Sequence, residues 1–224
     1  MPTAREALLD AAGAALAIRP WPTVRMVEVA AAAGVSRQTL YNEFGGKEGL
    51  ARALLRREAD WYLDGVDRVL YAASGGRERL AAVAEWTVRA ARAHPLLRAL
   101  LTGCWDPALP APRPHPDRRS SAVPAQRRAD AGVPGPADLA RAVRDRTAAA
   151  LEPGEAARRR SELAVRLALS YVIAPAEEGG EALRELLGLP PGPSAPAPDR
   201  PGPLGRRVPD PRRFSGRSRR AGDR

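Results

Sequence analysis

Between Ser36 and Asn42 the chain sets Ser36, Arg37, Gln38, Thr39, Tyr41 and Asn42 around one apolar residue, Leu40. Arginine, glutamine and asparagine can bond two atoms of a base edge at once, and hydroxyls and cations bond phosphate oxygens. Such side chains on one short helix suit the major groove of duplex DNA. The run follows Ala33-Gly34-Val35-Ser36, a short glycine-containing turn of the kind that joins two steeply crossed helices. Val29, Ala30 and Ala33 before the turn are small enough to let a second helix approach. Val35, Leu40 and Phe44 then fill the angle. Lys47 is the only lysine, against 35 arginines. It opens the following helix, whose N-terminus already favours an anion, and a compact ammonium there suits a phosphate.

The elements that must hold these residues are all helical. Aromatics make up 4% of the chain, and Ala, Leu and Val supply most of the 44% apolar fraction. That composition favours helix over strand. Thr3 and Glu6 form a capping box at the start of a first helix that runs to about Arg19, where Pro20-Trp21-Pro22 stops it. Thr23 is expected to cap a second helix from Val24 to Ala33. Ser36 caps a third, Arg37 to Phe44, broken by Gly45-Gly46. A long fourth helix is predicted from Lys47 to about Tyr71, and further helices over 77–93, 96–103, 137–151, 155–173 and 181–187. Eight prolines between Asp106 and Pro136 read mostly as loop.

Charge narrows the function only a little. The net charge is +10, but nine Arg and three Asp in residues 190–224 carry +6 and leave +4 for residues 1–189. Those last 35 residues hold nine Pro and five Gly and are expected to be disordered, since they lack the apolar side chains to offset chain entropy. Arg206-Arg207, Arg212-Arg213 and Arg217-Ser218-Arg219-Arg220 in this tail can add sequence-independent DNA affinity. A solvated basic segment without a role is the plainer reading. The single cysteine, Cys104, has no disulfide partner and reads as a buried inert thiol. His94 and His115 lack metal-ligand spacing, with His94-Pro95 reading as a helix end. No nucleophile has a credible base, so no enzyme, cofactor or metal is expected. Met1-Pro2-Thr3-Ala4-Arg5-Glu6 does not read as a signal peptide, and no apolar run spans a membrane. The expectation is a cytoplasmic, nucleoid-associated protein.

The stretch from Val29 through Ala33-Gly34-Val35-Ser36, then Tyr41-Asn42-Glu43-Phe44 and Lys47-Glu48-Gly49-Leu50, resembles the DNA-binding signature of the tetracycline-repressor (TetR) family. The resemblance is close over residues 4–55 and architectural beyond. It implies a helix-turn-helix DNA-binding domain at 1–46, a helical effector-binding and dimerisation domain at 47–189, and the tail at 190–224. It implies that Arg37, Gln38, Thr39 and Asn42 face bases and that Thr23, Ser36, Tyr41 and Lys47 face phosphates. Family members often carry His where this chain has Glu43, an anion that would repel phosphate. Either Glu43 points elsewhere, toward Arg37 or another basic group, or that phosphate contact is absent.

The resemblance also implies a pocket for an unknown apolar or amphipathic effector, with Trp86, Leu97, Leu101, Cys104, Trp105 and Tyr171 as candidate lining residues. Any one of them can equally be plain core. Helices 137–151 and 155–173 carry apolar faces (Leu139, Val143, Leu151; Leu163, Leu167, Tyr171) that can pair with two-fold mates as a four-helix interface. The expected function is therefore a ligand-responsive repressor, homodimeric on a palindromic operator, with helix 4 as the lever between domains. Two rivals are a non-specific basic DNA-binding protein and a helical small-molecule-binding protein with a vestigial motif.

Overall fold

The computed structural model describes residues 3–112, 132–151 and 154–174. The expected helix at 181–187, the tail at 190–224, His115 and most of the proline-rich loop lie outside the described residues. The described elements are helices throughout: α1 Ala4–Ile18, a 3₁₀ turn Trp21–Thr23, α2 Met26–Ala32, α3 Arg37–Phe44, α4 Lys47–Ala72, α5 Gly76–Ala93, α6 Pro95–Thr102, α7 Pro136–Ala150 and α8 Glu155–Ile173.

Local chemistry sets most of these boundaries. The Thr3 hydroxyl accepts from the Glu6 N–H (3.2 Å), and the Glu6 carboxylate accepts from the Thr3 N–H (2.7 Å). The Thr3 N–H, with the Thr3 hydroxyl donating at 3.0 Å, holds the Glu6 carboxyl below its ordinary value. Ser36 caps α3 by accepting from the Thr39 N–H at 3.0 Å. One boundary differs from the sequence reading. Thr23 does not cap α2, because its hydroxyl turns back and donates to the Pro20 carbonyl at 2.8 Å. Val24 is extended and buried at 3% exposure, and α2 begins only at Met26. Pro20 and Pro22 fix the chain into the 3₁₀ turn, and burial of Trp21 and Val24 anchors it.

Two clusters of buried side chains share α4. The first joins Leu8, Leu9 and Ala12 of α1 to Val24, Val29, Ala30, Leu40 and Phe44, and to Leu50 and Leu54 from the start of α4. The second joins Leu55, Tyr62, Val66 and Leu70 of α4 to α5, α6, α7 and α8. Leu96 packs against both. α5 lies between α4 and α8, and α7 and α8 pack together. Leu139 and Val143 turn inward, each at 1% exposure, whereas Leu163 is 67% exposed. The apolar face expected on α7 therefore fills this chain's own core, because α4, α5 and α6 all pack against it. Cys104 is exposed rather than buried, since it follows the left-handed Gly103 that ends α6 and leaves the core. His94 ends α5 and begins α6, with Nδ1 2.8 Å from Glu58 Oε1.

Candidate nucleic-acid interface

The turn between α2 and α3 is built by backbone bonds that need a glycine. Val35 N–H donates to the Ala30 carbonyl and Gly34 N–H to the Ala31 carbonyl, both at 3.1 Å. This paired closure of a helix end requires positive φ at the residue between, and Gly34 has φ +67°. The chain then re-enters helix at Ser36. Leu40 and Phe44, at 0% and 2% exposure, pin α3 to the N-terminal core. Fully burying one such side chain is worth about 1.5–3 kcal/mol. With those two residues inward, Arg37, Gln38 and Asn42 are exposed, and Thr39 and Tyr41 are half-buried.

The outward side chains are already arranged in pairs. Gln38 Nε2 donates to Asn42 Oδ1 at 2.9 Å. The Arg37 guanidinium lies 5.5 Å from the centre of the Tyr41 ring, and the hydroxyls of Ser36 and Thr39 are 2.8 Å apart. Both carboxylates of residues 24–44 are occupied by arginines. Glu28 pairs with Arg19. Glu43 pairs with Arg5 at 3.4 Å, and Arg5 also donates to the Glu43 carbonyl and stacks on the Phe44 ring at 4.6 Å. Glu43 thus turns to Arg5 on α1, not to Arg37.

Lys47 stands at the start of α4. Its Nζ donates to the Pro22 carbonyl at 2.9 Å and lies 5.5 Å from the Trp21 ring centre. Partial burial, helped by the positive charge of Arg19, holds its ammonium below the ordinary lysine value. Gly49 allows α4 to start so near α3, because a Cβ there would lie 1.8 Å from the Phe44 carbonyl oxygen. The structure thus brings Thr23, Lys47 and the Trp21 turn together at one end of α4, with Ser36, Arg37, Gln38, Thr39, Tyr41 and Asn42 on α3 and its cap.

Residues 8–54 match the tetR family of bacterial regulatory proteins. Over these residues the chain is similar to that family. The HTH-type transcriptional regulator AlkX of Mycobacterium tuberculosis (strain ATCC 25618 / H37Rv) is 40% identical over 107 residues, 47% of this chain and 50% of that protein. The match thus spans half the length of that curated relative. Solved structures similar to this chain include the following two. The TetR family repressor AlkX from Dietzia sp. strain DQ12-45-1b, implicated in biodegradation of n-alkanes, has a TM-score of 0.46 and 23% identity, covering 82% of this chain and 91% of that one. A tetR-family transcriptional regulator from Streptomyces coelicolor has a TM-score of 0.49 and 21% identity, covering 84% and 79%.

The six residues expected to line an effector pocket stand in different settings. Leu97 and Leu101 are closed in the second core at 0% and 4% exposure. Trp86 lies flat against Gly65, where a Cβ would sit 2.1 Å from its ring, and its Nε1 donates to the Tyr62 carbonyl at 3.1 Å. Tyr171 is half-buried and Cys104 exposed. Trp105 borders a cleft with Trp21, Pro22, Lys47, Ala51 and Leu109, which links the segment after α6 to the N-terminal helices. Sequence reasoning missed Arg5 as the partner of Glu43 and missed Trp21 and Asp106 altogether. Arg5 meets Glu43 and Trp21 meets the Ala108 carbonyl across long stretches of chain, so no local pattern signals either, and the turn at Asp106 is local but its contact with Trp21 is not.

Proposed function

We propose that this chain is a TetR-type regulator, a homodimeric, ligand-responsive repressor that reads a palindromic operator with α3. The observation that carries the reading is α3 itself, whose Leu40 and Phe44 are buried while Arg37, Gln38 and Asn42 stand exposed. In this reading Arg37, Gln38, Thr39 and Asn42 contact base edges, and Thr23, Ser36, Tyr41 and Lys47 contact phosphates. The Gln38–Asn42 bond holds two amides side by side, so less side-chain freedom is lost on meeting a base. One α3 spans too few bases for useful specificity, and a two-fold dimer presents two of them one turn of DNA apart. The exposed Leu163 and Ile173, with half-buried Leu167 and Tyr171 on α8, supply the pairing stripe. An apolar or amphipathic effector acts through the helices around α4 by favouring one spacing of the two α3 helices.

The test is selection of genomic fragments by the full chain, followed by variants measured on the recovered duplex. Lys47→Ala is expected to weaken binding to every sequence and to lower the salt dependence by about one unit of slope. Gln38→Ala and Asn42→Ala are expected to change the preferred sequence in a randomised-site selection. An unchanged preference in both would remove α3 as the reading helix.

A further inference from the structure

We infer that Asp106 is a positioning residue for DNA binding, although it lies 59 residues beyond Lys47 and has the wrong charge to touch a phosphate. The inference rests on the DNA-binding reading above. Its basis is a continuous run of hydrogen bonds from the segment after α6 to the phosphate-facing end of α4. Asp106 Oδ1 accepts from the Ala108 N–H at 2.7 Å, and the Asp106 carbonyl accepts from the Leu109 N–H at 2.9 Å. This carboxylate-braced turn aims the Ala108 carbonyl back at the N-terminal core, where it accepts from the Trp21 N–H at 2.7 Å.

Trp21 is 8% exposed and opens the 3₁₀ turn. Within that turn the Pro20 carbonyl takes both the N–H and the hydroxyl of Thr23. The Pro22 carbonyl takes the Lys47 ammonium, which also faces the Trp21 ring. Thr23 and Lys47 are thus held by a turn that is itself held by Ala108, and Ala108 by Asp106. Without the brace the Ala108 carbonyl is free to swing, and the Trp21 N–H loses its fixed backbone partner. The phosphate-facing groups then have several arrangements instead of one, and binding must select among them.

The test compares the full-length wild type with Asp106→Ala and Asp106→Asn. Asparagine keeps the oxygen that accepts from Ala108, while alanine removes it, and both remove the charge. Two readouts are taken: amide hydrogen exchange at Trp21 without DNA, and affinity for the duplex that the wild type selects from genomic fragments. In Asp106→Ala the Trp21 amide is expected to exchange faster and DNA affinity to fall roughly fivefold, the size of one lost hydrogen bond. Asp106→Asn is expected to stay close to the wild type in both. If only charge mattered, both variants would bind DNA as tightly as the wild type or more tightly, and that result overturns the inference. Unchanged exchange at Trp21 in Asp106→Ala overturns it as well. A wild type that selects no duplex instead overturns the DNA-binding reading, and the inference with it. Exchange at Trp21 would then still report whether Asp106 braces the turn.

Discussion

The hydroxyl of Tyr62 is buried in the second core, 2.8 Å from Thr87 Oγ1. Thr87 gives its own proton to the Val83 carbonyl at 2.8 Å, so Tyr62 is the donor of the pair. Burial pushes its phenol from the ordinary 10.0 up to about 12. A raised folded value means that the stabilisation is complete below the unfolded value and is lost as pH rises through the folded one. Between pH 10 and about 12 the unfolded phenol ionises while the folded one stays neutral. Stability should therefore fall across that window in the wild type. Tyr62→Phe should flatten this part of the profile, at a cost near neutral pH of about 1 kcal/mol for the lost bond to Thr87. Urea unfolding from pH 7 to 12 checks both, and an equal alkaline decline in the variant would refute the assignment. At this scale the Thr3–Glu6 box and the Ser36 cap were legible in the sequence, because each closes within three residues. The Arg5–Glu43 pair spans 38 residues, and no local pattern announces it.

Two glycines set how α2, α3 and α4 meet, and they do so for different reasons. Gly34 has open space where a Cβ would go, so Gly34→Ala meets only backbone strain at positive φ, about 1–2 kcal/mol. At Gly49 a Cβ would strike the Phe44 carbonyl oxygen at 1.8 Å. Backbone cannot swing aside as a side chain can, so Gly49→Ala should cost about 3 kcal/mol or more. It should also displace α3 from α4 and weaken DNA binding. Equilibrium unfolding of the two variants checks the order, and a larger loss at Gly34 would contradict it. The turn at Gly34 was readable from its neighbours, since the closure is local. The start of α2 was misread, because Thr23 has two bonding choices. Burial of Trp21 and Val24 in the tertiary core, which the sequence pattern did not announce, makes the backward one prevail. The long run of α4 was expected from its spacing, but its sharing between two cores depends on which helices pack on it.

Across the whole molecule, α8 is where a second copy is proposed to attach. Leu163 is 67% and Ile173 64% exposed, whereas Leu139 and Val143 of α7 are each 1% exposed. Leu163→Arg removes little packing within the chain, so the fold should persist while a dimer resting on this stripe dissociates. Sedimentation at matched concentration should give a monomer. Affinity for the selected duplex should fall on the order of a hundredfold or more, as the linked second site is lost. A dimer that survives Leu163→Arg, Leu167→Arg and Ile173→Arg together would place the interface elsewhere. The apolar faces of α7 and α8 were visible as helical spacing. Which face turns inward was not, since both helices read as equally amphipathic until α4, α5 and α6 are packed against α7.

Because Lys47 carries the chain's one side-chain amine, acylating reagents meet a single internal target. That target sits at the start of α4 with its ammonium held below the ordinary value, so more of it is in the reactive neutral form. The rate at which such a reagent modifies Lys47 therefore gives a one-residue footprint of whether duplex occupies this end of the protein, without any engineered label.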